Sequence, residues 1–226
     1  MKVIVVLPAY NAEQTLIKTY NEIPLAEVDE ILLVDDKSQD STVKLASELG
    51  LTVIQHSSNL GYGANQKTCY NEALKRGADI VVMLHPDFQY DPKLIPAMVE
   101  KVKSFDLVLG SRFLTESPVK QGMPKYKYVS NRFLTWLQNK ILKQNLSEYH
   151  TGYRAYQRQV LERIDYNKFS DDFIFDNQML VSAIRSKFSI GEIACPTKYE
   201  KDSSNINLLR SIKYGLGVIR VTLLHR

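Results

Sequence analysis

Along the first half of the chain, apolar residues come in short unbroken runs, and each run ends abruptly in polar residues. Residues 3–7, 30–34, 80–84 and 106–109 lack the period-two alternation of a half-solvated strand, so they read as strands buried on both faces. The β-branched Thr52, Val53 and Ile54 mark a further strand at 51–55. Between the runs, helices are predicted at 12–20 and at 41–49, the latter closed by Gly50. Another runs from the turn Gly61-Tyr62-Gly63 to about Arg76 and stops at Gly77, and the next spans 92–103 with Pro96 near its start. Strand-helix alternation with short links predicts an α/β fold, a mostly parallel sheet covered by helices on both sides. The second half is less regular, with helices at 130–143 and 176–186, a strand at 190–194 and a terminal helix from about Asn207.

Polar residues collect where the runs end: Pro8-Ala9-Tyr10-Asn11, Asp35-Asp36, His85-Pro86-Asp87 and Ser111-Arg112. If the strands are parallel, these ends converge on one crevice, the place where open α/β sheets bind ligands. The run 80–84 is the sharpest case, since it gives way to His85, Asp87, Gln89 and Asp91 at alternate positions, punctuated by Pro86 and Pro92. A dinucleotide-binding enzyme shares the alternation, but its glycine fingerprint belongs directly after the first strand, where Pro8 to Asn11 stand instead. Gly61-Tyr62-Gly63-Ala64-Asn65-Gln66 lacks the third glycine, and no P-loop is present. By themselves Gly61 and Gly63 read as a tight turn that starts a helix. Ser38, Asp40 and Ser41 read as turn and helix-start residues, and Asp91 before Pro92 as a helix cap.

Composition narrows the class. With 226 residues, 44% of them hydrophobic, the chain can bury a full core in one domain. The opening apolar stretch is too short for a signal peptide, and no run approaches the roughly 18 apolar residues of a membrane span. Cys69 and Cys195 lie far apart with no partners for a zinc site, so they are expected to pack as small hydrophobes in a reducing, cytoplasmic compartment. The net charge of +4 is unevenly spread. Residues 118–147 carry Lys120, Lys125, Lys127, Arg132, Lys140 and Lys143, and 203–226 carry Arg210, Lys213, Arg220 and Arg226, with no acid in either stretch. Val129, Phe133, Trp136, Leu137, Ile141 and Leu142 recur near helical spacing in the first, and Leu209, Ile212, Leu216, Ile219 and Leu223 in the second. Apolar stripes flanked by cations suit helices lying in a membrane interface, and equally helices packed on their own core with a solvated basic edge. No nucleic-acid motif accompanies the charge, so no nucleic-acid partner is expected.

Six segments in series carry a family resemblance: Leu7-Pro8-Ala9-Tyr10-Asn11, the run from Val34-Asp35-Asp36 to Ser41-Thr42, Asn59-Leu60-Gly61-Tyr62-Gly63, the run from His85-Pro86-Asp87 to Asp91-Pro92, Gly110-Ser111-Arg112-Phe113, and Thr151-Gly152-Tyr153-Arg154. The chain resembles the family 2 glycosyltransferases, above all the branch of dolichyl-phosphate mannose synthase and other polyprenyl-phosphate glycosyltransferases. The resemblance implies a GT-A fold and an inverting, metal-dependent nucleotide-sugar transferase in one catalytic domain. Residues 1–115 would bind the nucleotide sugar, 116–205 the acceptor, and 206–226 would form a C-terminal amphipathic helix. Pro8, Tyr10 and Asn11 would shape the base and ribose pocket, Asp36 would accept from the base, and Asp35, Gly61 and Gly63 would complete the nucleotide site. Asp87, with Gln89 beside it, would hold Mg²⁺ or Mn²⁺ against the diphosphate, since hard cations take carboxylate and phosphate oxygens. Arg112 would face the diphosphate or the acceptor anion.

His85 departs from the family's usual aspartate, which would give Asp-x-Asp. Imidazole suits zinc or manganese better than magnesium, so His85 is read as an auxiliary metal ligand or a diphosphate contact. A catalytically silent nucleotide-binding subunit is the alternative that this loss opens. For the acceptor, two chemistries stay open. An alcohol needs a general base, and Asp176 in the cluster 171–176 stands where many relatives carry theirs, unless it only caps the following helix. A phosphate monoester, with a second pKa of about 6, is already anionic and needs cations instead. Arg112, Arg132 and Arg154, with Gly152 nearby, are the candidates. The expected partners are a UDP- or GDP-linked sugar, a polyprenyl (lipid) phosphate and the cytoplasmic face of a membrane, with homo-oligomer formation left open.

Overall fold

The computed structural model describes residues 1–115, 118–196 and 208–224. Its sheet contains β1 (Val3–Ala9), β2 (Glu30–Asp35), β3 (Thr52–Gln55), β4 (Ile80–Met83), β5 (Leu107–Ser111), β6 (Arg154–Gln157) and β7 (Ile190–Ala194). They lie in the order β3-β2-β1-β4-β6-β5-β7. The helices are α1 (Leu16–Asn21), α2 (Thr42–Glu48), α3 (Tyr62–Lys75), α4 (Ile95–Val102), α5 (Lys125–Leu142), α6 (Arg158–Arg163), α7 (Phe175–Arg185) and α8 (Leu208–Leu224).

The unbroken apolar runs are explained by two cores, one on each face of the sheet. Ile4, Val6, Leu32, Val34, Val81 and Met83 pack with Tyr70 of α3 and Met179 of α7 on one face. Val5, Leu7, Leu33, Val82 and Leu84 pack with Ile95, Met98 and Val102 of α4 on the other. Successive side chains of a strand point to opposite faces, so a strand covered on both must be apolar throughout.

The parallel reading holds for β1 with β2, β2 with β3, β1 with β4, and β5 with β7. It misses β6, which inserts antiparallel between β4 and β5. Arg-Ala-Tyr-Gln carries no strand signal, being short and headed by an arginine. Because β6 is antiparallel to both neighbours, β4 and β5 still run the same way, and the carboxyl ends of β1, β2, β4 and β5 face one side. The first helix starts at Leu16 instead of residue 12, because Asn11 adopts φ 51° and the segment after it is pinned to neighbouring loops. Thr42 Oγ1 accepts from Ala12 N at 2.7 Å, and Thr15 Oγ1 donates to the Pro86 carbonyl at 2.5 Å. α5 begins at Lys125, earlier than the expected 130. α8 packs on α5 and α7. Asn207 and Arg226 lie outside the described residues. Among the described residues, no helix is long and apolar enough to cross a membrane.

Candidate active site

Two adjoining cavities open at the carboxyl ends of the strands. The larger, about 1090 Å³, is bordered by Pro8, Tyr10 and Asn11 after β1, Asp36 after β2, and Gly61 before α3. The smaller, about 460 Å³, is bordered by Gln89, Arg112, Lys127, His150, Gly152 and Asp176, with one side formed by α8. Tyr62, His85, Asp87, Phe173 and Tyr214 border both. Asp87 therefore stands at the junction, where a group bound in one cavity meets a group bound in the other.

On the side of the larger cavity, Asp36 is 3% exposed and fastens the glycine turn to the end of β2. Its carboxylate accepts from Leu60 N at 2.8 Å and Gly61 N at 2.9 Å, and lies 2.8 Å from His56 Nδ1. His56 was not singled out from the sequence, and a lone histidine after a strand gives no signal for this role. Asp35, expected in the nucleotide site, borders neither cavity. It is wholly buried and accepts from Ser38 N at 3.1 Å, because adjacent residues of an extended chain point opposite ways and only one of the pair meets the crevice. Ser38, Asp40 and Asp91 act as turn and cap residues as read: Asn11 N donates to Ser38 Oγ, Thr42 N to Asp40 and Lys93 N to Asp91.

The two glycines have different reasons. Gly61 adopts φ 102°, a conformation that suits glycine and fits the expected turn. Gly63 borders neither cavity, and its φ is not positive. Instead the segment 170–171 packs directly on it: Gly63 N donates to the Asp171 carbonyl at 2.7 Å, and a Cβ would lie 2.9 Å from Phe175 Cβ and closer still to the Ser170 carbonyl oxygen. That segment is a wall of the larger cavity. Gly63→Ala is expected to push the wall away and cost about 1–3 kcal/mol, read as a lower melting temperature. An unchanged melting temperature would show that the wall yields freely.

On the other side, Arg112 is held by an acid that sequence reading missed. Glu148 is wholly buried and accepts from Arg112 N and Nε, each at 2.9 Å, from Arg112 Nη2, and from Asn131 Nδ2 at 3.0 Å. Burial pushes the Glu148 carboxyl up, but the Arg112 charge and these hydrogen bonds outweigh it, and the net shift is downward. The available signal was its position, since Glu148 is the first acid after the acid-free stretch 118–147. Lys127 lies beside it, its ammonium pKa lowered first by burial and then by the neighbouring Arg112 charge. His150 shares the wall, and burial pushes its imidazole down to about 4, so it is neutral at pH 7.

Two expected acceptor residues are elsewhere. Arg154 is wholly buried, and its guanidinium donates to the carbonyls of Thr151 at 2.9 Å and Asp176 at 2.6 Å. It braces α7 against β6 from inside. Arg132 lies over the Phe113 ring at 5.3 Å and donates to the Ser147 carbonyl at 3.1 Å, bordering neither cavity. The cationic stretch in the sequence indicated the right region but not which of its cations faces inward. Gly152 does border the cavity, and a Cβ there would sit 2.7 Å from His85 Nε2. Asp176 borders it from the first turn of α7, inside the helix and not as its cap.

Among the described residues, no group of three or more His, Cys, Asp or Glu side chains is placed to hold a metal. A ready-made cage is therefore absent from them, but the donor set fits a cation bound through one carboxylate plus diphosphate oxygens, the usual habit of Mg²⁺ at phosphates. Asp87, whose Oδ1 accepts from Gln89 N at 3.1 Å, is the carboxylate that borders both cavities. His85 Nε2 lies 3.1 Å from the Tyr62 hydroxyl and is enclosed by Gly152.

The family model of glycosyl transferase family 2 matches residues 4–165, which run from β1 beyond β6. The chain belongs to that family. Among its relatives is the UDP-N-acetylglucosamine–dolichyl-phosphate N-acetylglucosaminyltransferase of Methanococcus voltae, 26% identical over 96% of this chain and 95% of that protein. Another is the polyprenol monophosphomannose synthase of Mycolicibacterium smegmatis, 29% identical over 85% of this chain and 76% of that protein. In fold, the chain is similar to glucosyl-3-phosphoglycerate synthase from Mycobacterium tuberculosis, solved with Mn²⁺, UDP-glucose and phosphoglyceric acid. The TM-score is 0.73 at 21% identity, covering 99% of this chain and 78% of that one. The fold is thus GT-A, and the protein is a glycosyltransferase.

Proposed function

We propose that this glycosyltransferase moves a hexose, with inversion, from a UDP- or GDP-linked sugar to a polyprenyl phosphate at a membrane surface. The nucleotide sugar occupies the larger cavity, its diphosphate at Asp87. A divalent cation, Mg²⁺ or Mn²⁺, would be held by Asp87 with Gln89 nearby and would neutralise charge on the leaving diphosphate. The acceptor phosphate enters from the smaller cavity, on the far side of the sugar carbon, which is the approach that inverts it. It needs no base, because it arrives as an anion. Arg112, fixed by Glu148, and Lys127 draw it in. In this reading residues 1–115 serve the donor, 116–205 the acceptor, and the C-terminal helix α8 lies toward the membrane.

One observation carries the reading: the smaller cavity brings the guanidinium of Arg112 and the ammonium of Lys127 together with a rim of exposed apolar side chains. Phe133, Ile212 and Leu216 border it and are 54%, 55% and 65% exposed. Val129 and Trp136 extend the apolar rim along α5, with Lys140 over the Trp136 ring at 5.3 Å. A charged head on a long apolar tail has the matching polarity, and the rim suits a lipid surface. The named activities of the relatives support the same acceptor class.

The test is incubation with Mn²⁺, undecaprenyl phosphate in detergent and, in turn, UDP-glucose, UDP-N-acetylglucosamine and GDP-mannose. A lipid-linked sugar is expected from one donor. Nucleotide binding without lipid product from any of them would sink the acceptor assignment. For the membrane, the paired change Phe133→Glu and Leu216→Glu is expected to lower co-sedimentation with anionic vesicles by about tenfold or more, since each side chain gives up about 1.5–3 kcal/mol of burial. Unaltered co-sedimentation would place the docking face elsewhere.

A further inference from the structure

Tyr62 has no role in the transfer as described, yet it stands at the junction of both cavities. Its hydroxyl donates to Asp176 Oδ2 at 2.6 Å, while Gln66 Nε2 donates to Asp176 Oδ1 at 3.1 Å. Both oxygens of the carboxylate best placed to act as a base are thus already tied to α3. The ring of Tyr62 is clamped: it stacks on His85 with centroids 5.4 Å apart and planes 13° apart, and meets Phe173 at 4.7 Å. Gly152 closes over the meeting point, where a Cβ would approach the hydroxyl to 3.5 Å. A phenol is ordinarily protonated at neutral pH, and facing a carboxylate oxygen the Tyr62 hydroxyl is the donor of this bond. Because Tyr62 Oη–H points to Asp176, the 3.1 Å contact with His85 Nε2 is one in which the imidazole N–H donates to Tyr62. The result is a chain of donors from the β4 loop to Asp176.

Resting on the donor and acceptor cavities proposed above, we infer that Tyr62 is a positioning residue that sets acceptor specificity. By holding Asp176, it denies a base to hydroxyl acceptors, water above all, and leaves the reaction to acceptors that bring their own negative charge. A general base typically contributes 10²–10⁴ to proton-coupled attack, so withholding one discriminates strongly against water while costing a phosphate acceptor nothing. The suppressed reaction is hydrolysis of the donor. The water oxygen bonds to the sugar carbon, its proton passes to Asp176, and the bond from that carbon to the diphosphate oxygen breaks. The nucleoside diphosphate leaves with the bonding pair, and the products are free sugar and nucleoside diphosphate.

Tyr62→Phe keeps the stacked ring and removes the hydroxyl, the donor to Asp176 and the acceptor for His85 Nε2. With Mn²⁺ and no lipid acceptor, the variant is expected to hydrolyse UDP-glucose or GDP-mannose about tenfold faster than the parent, or more. The double change Tyr62→Phe with Asp176→Asn is expected to return hydrolysis to the parent rate, a reversal that a merely loosened site would not give. If Tyr62→Phe melts too low to assay, Gln66→Met releases the other carboxylate oxygen and is expected to act in the same direction. A variant that retains the nucleotide-dependent melting shift but hydrolyses no faster overturns the inference. So does a gain that survives Asp176→Asn. A parent with no melting shift from UDP or GDP in the presence of Mn²⁺ fails the donor reading itself, and this inference falls with it.

Discussion

Replacing Asp87 with alanine is expected to lower kcat/KM for sugar transfer by roughly 10²–10³-fold, the scale of losing one charge-stabilising group at a leaving oxyanion. The geometry makes Asp87 hard to replace. It is the carboxylate that borders both cavities at the end of β4, and no described cluster of three metal-binding side chains stands by to substitute for it. A site with so few protein ligands also makes the cation and the nucleotide depend on each other. In the parent, Mn²⁺ alone is expected to leave the melting temperature unchanged, and Mn²⁺ with UDP or GDP to raise it. Asp87→Ala should remove that joint shift. If Mn²⁺ alone stabilises the parent, the cation has a protein cage elsewhere; if Asp87→Ala keeps the joint shift, the diphosphate is held by other residues.

Glu148→Ala should be the most destabilising single change at the site. It strips the partner from Arg112, whose side chain is only 13% exposed, and leaves a cation largely buried without its carboxylate. Breaking a buried pair from one side costs about 3–5 kcal/mol. At this chain length about 3 kcal/mol corresponds to a fall in melting temperature of roughly 6–12 °C. Glu148→Gln, which keeps the shape, isolates the charge. The ordinary carboxyl value is 4.5 and the folded value is lower, so the charge stabilises the fold fully above that ordinary value. The contribution is lost as pH falls through the lowered folded value. The melting gap between parent and Glu148→Gln should therefore be wide at pH 7 and close in acid. A gap that stays constant to about pH 3 would mean that the hydrogen-bond shape, not the charge, does the stabilising.

The same pair shows why some of the site is hidden in the sequence. A run such as 80–84 announces itself because burial on both faces of a sheet demands apolar residues at every position. Its polar end then has one place to go. Glu148 has no such pattern: its role exists only because Arg112, 36 residues away, is brought to it by β5. Tyr62 and Asp176 are separated by 114 residues and meet only because α3 and α7 pack on the same face of the sheet. Arg154 resembled an anion-binding cation until β6, which has no strand signature, inserted between β4 and β5 and turned it inward.

The sequence by itself determined the α/β alternation, the convergence of the strand ends at 8–11, 35–36, 85–87 and 111–112 on one crevice, and the family. These follow from local periodicity and from motifs a few residues long. Only the tertiary structure decided which of two adjacent aspartates faces the crevice, and which cations line it. It also decided that Gly63 is small to admit residues 170–171. Those outcomes depend on distant side chains sharing or excluding the same space and charge, a constraint that no window of the sequence contains.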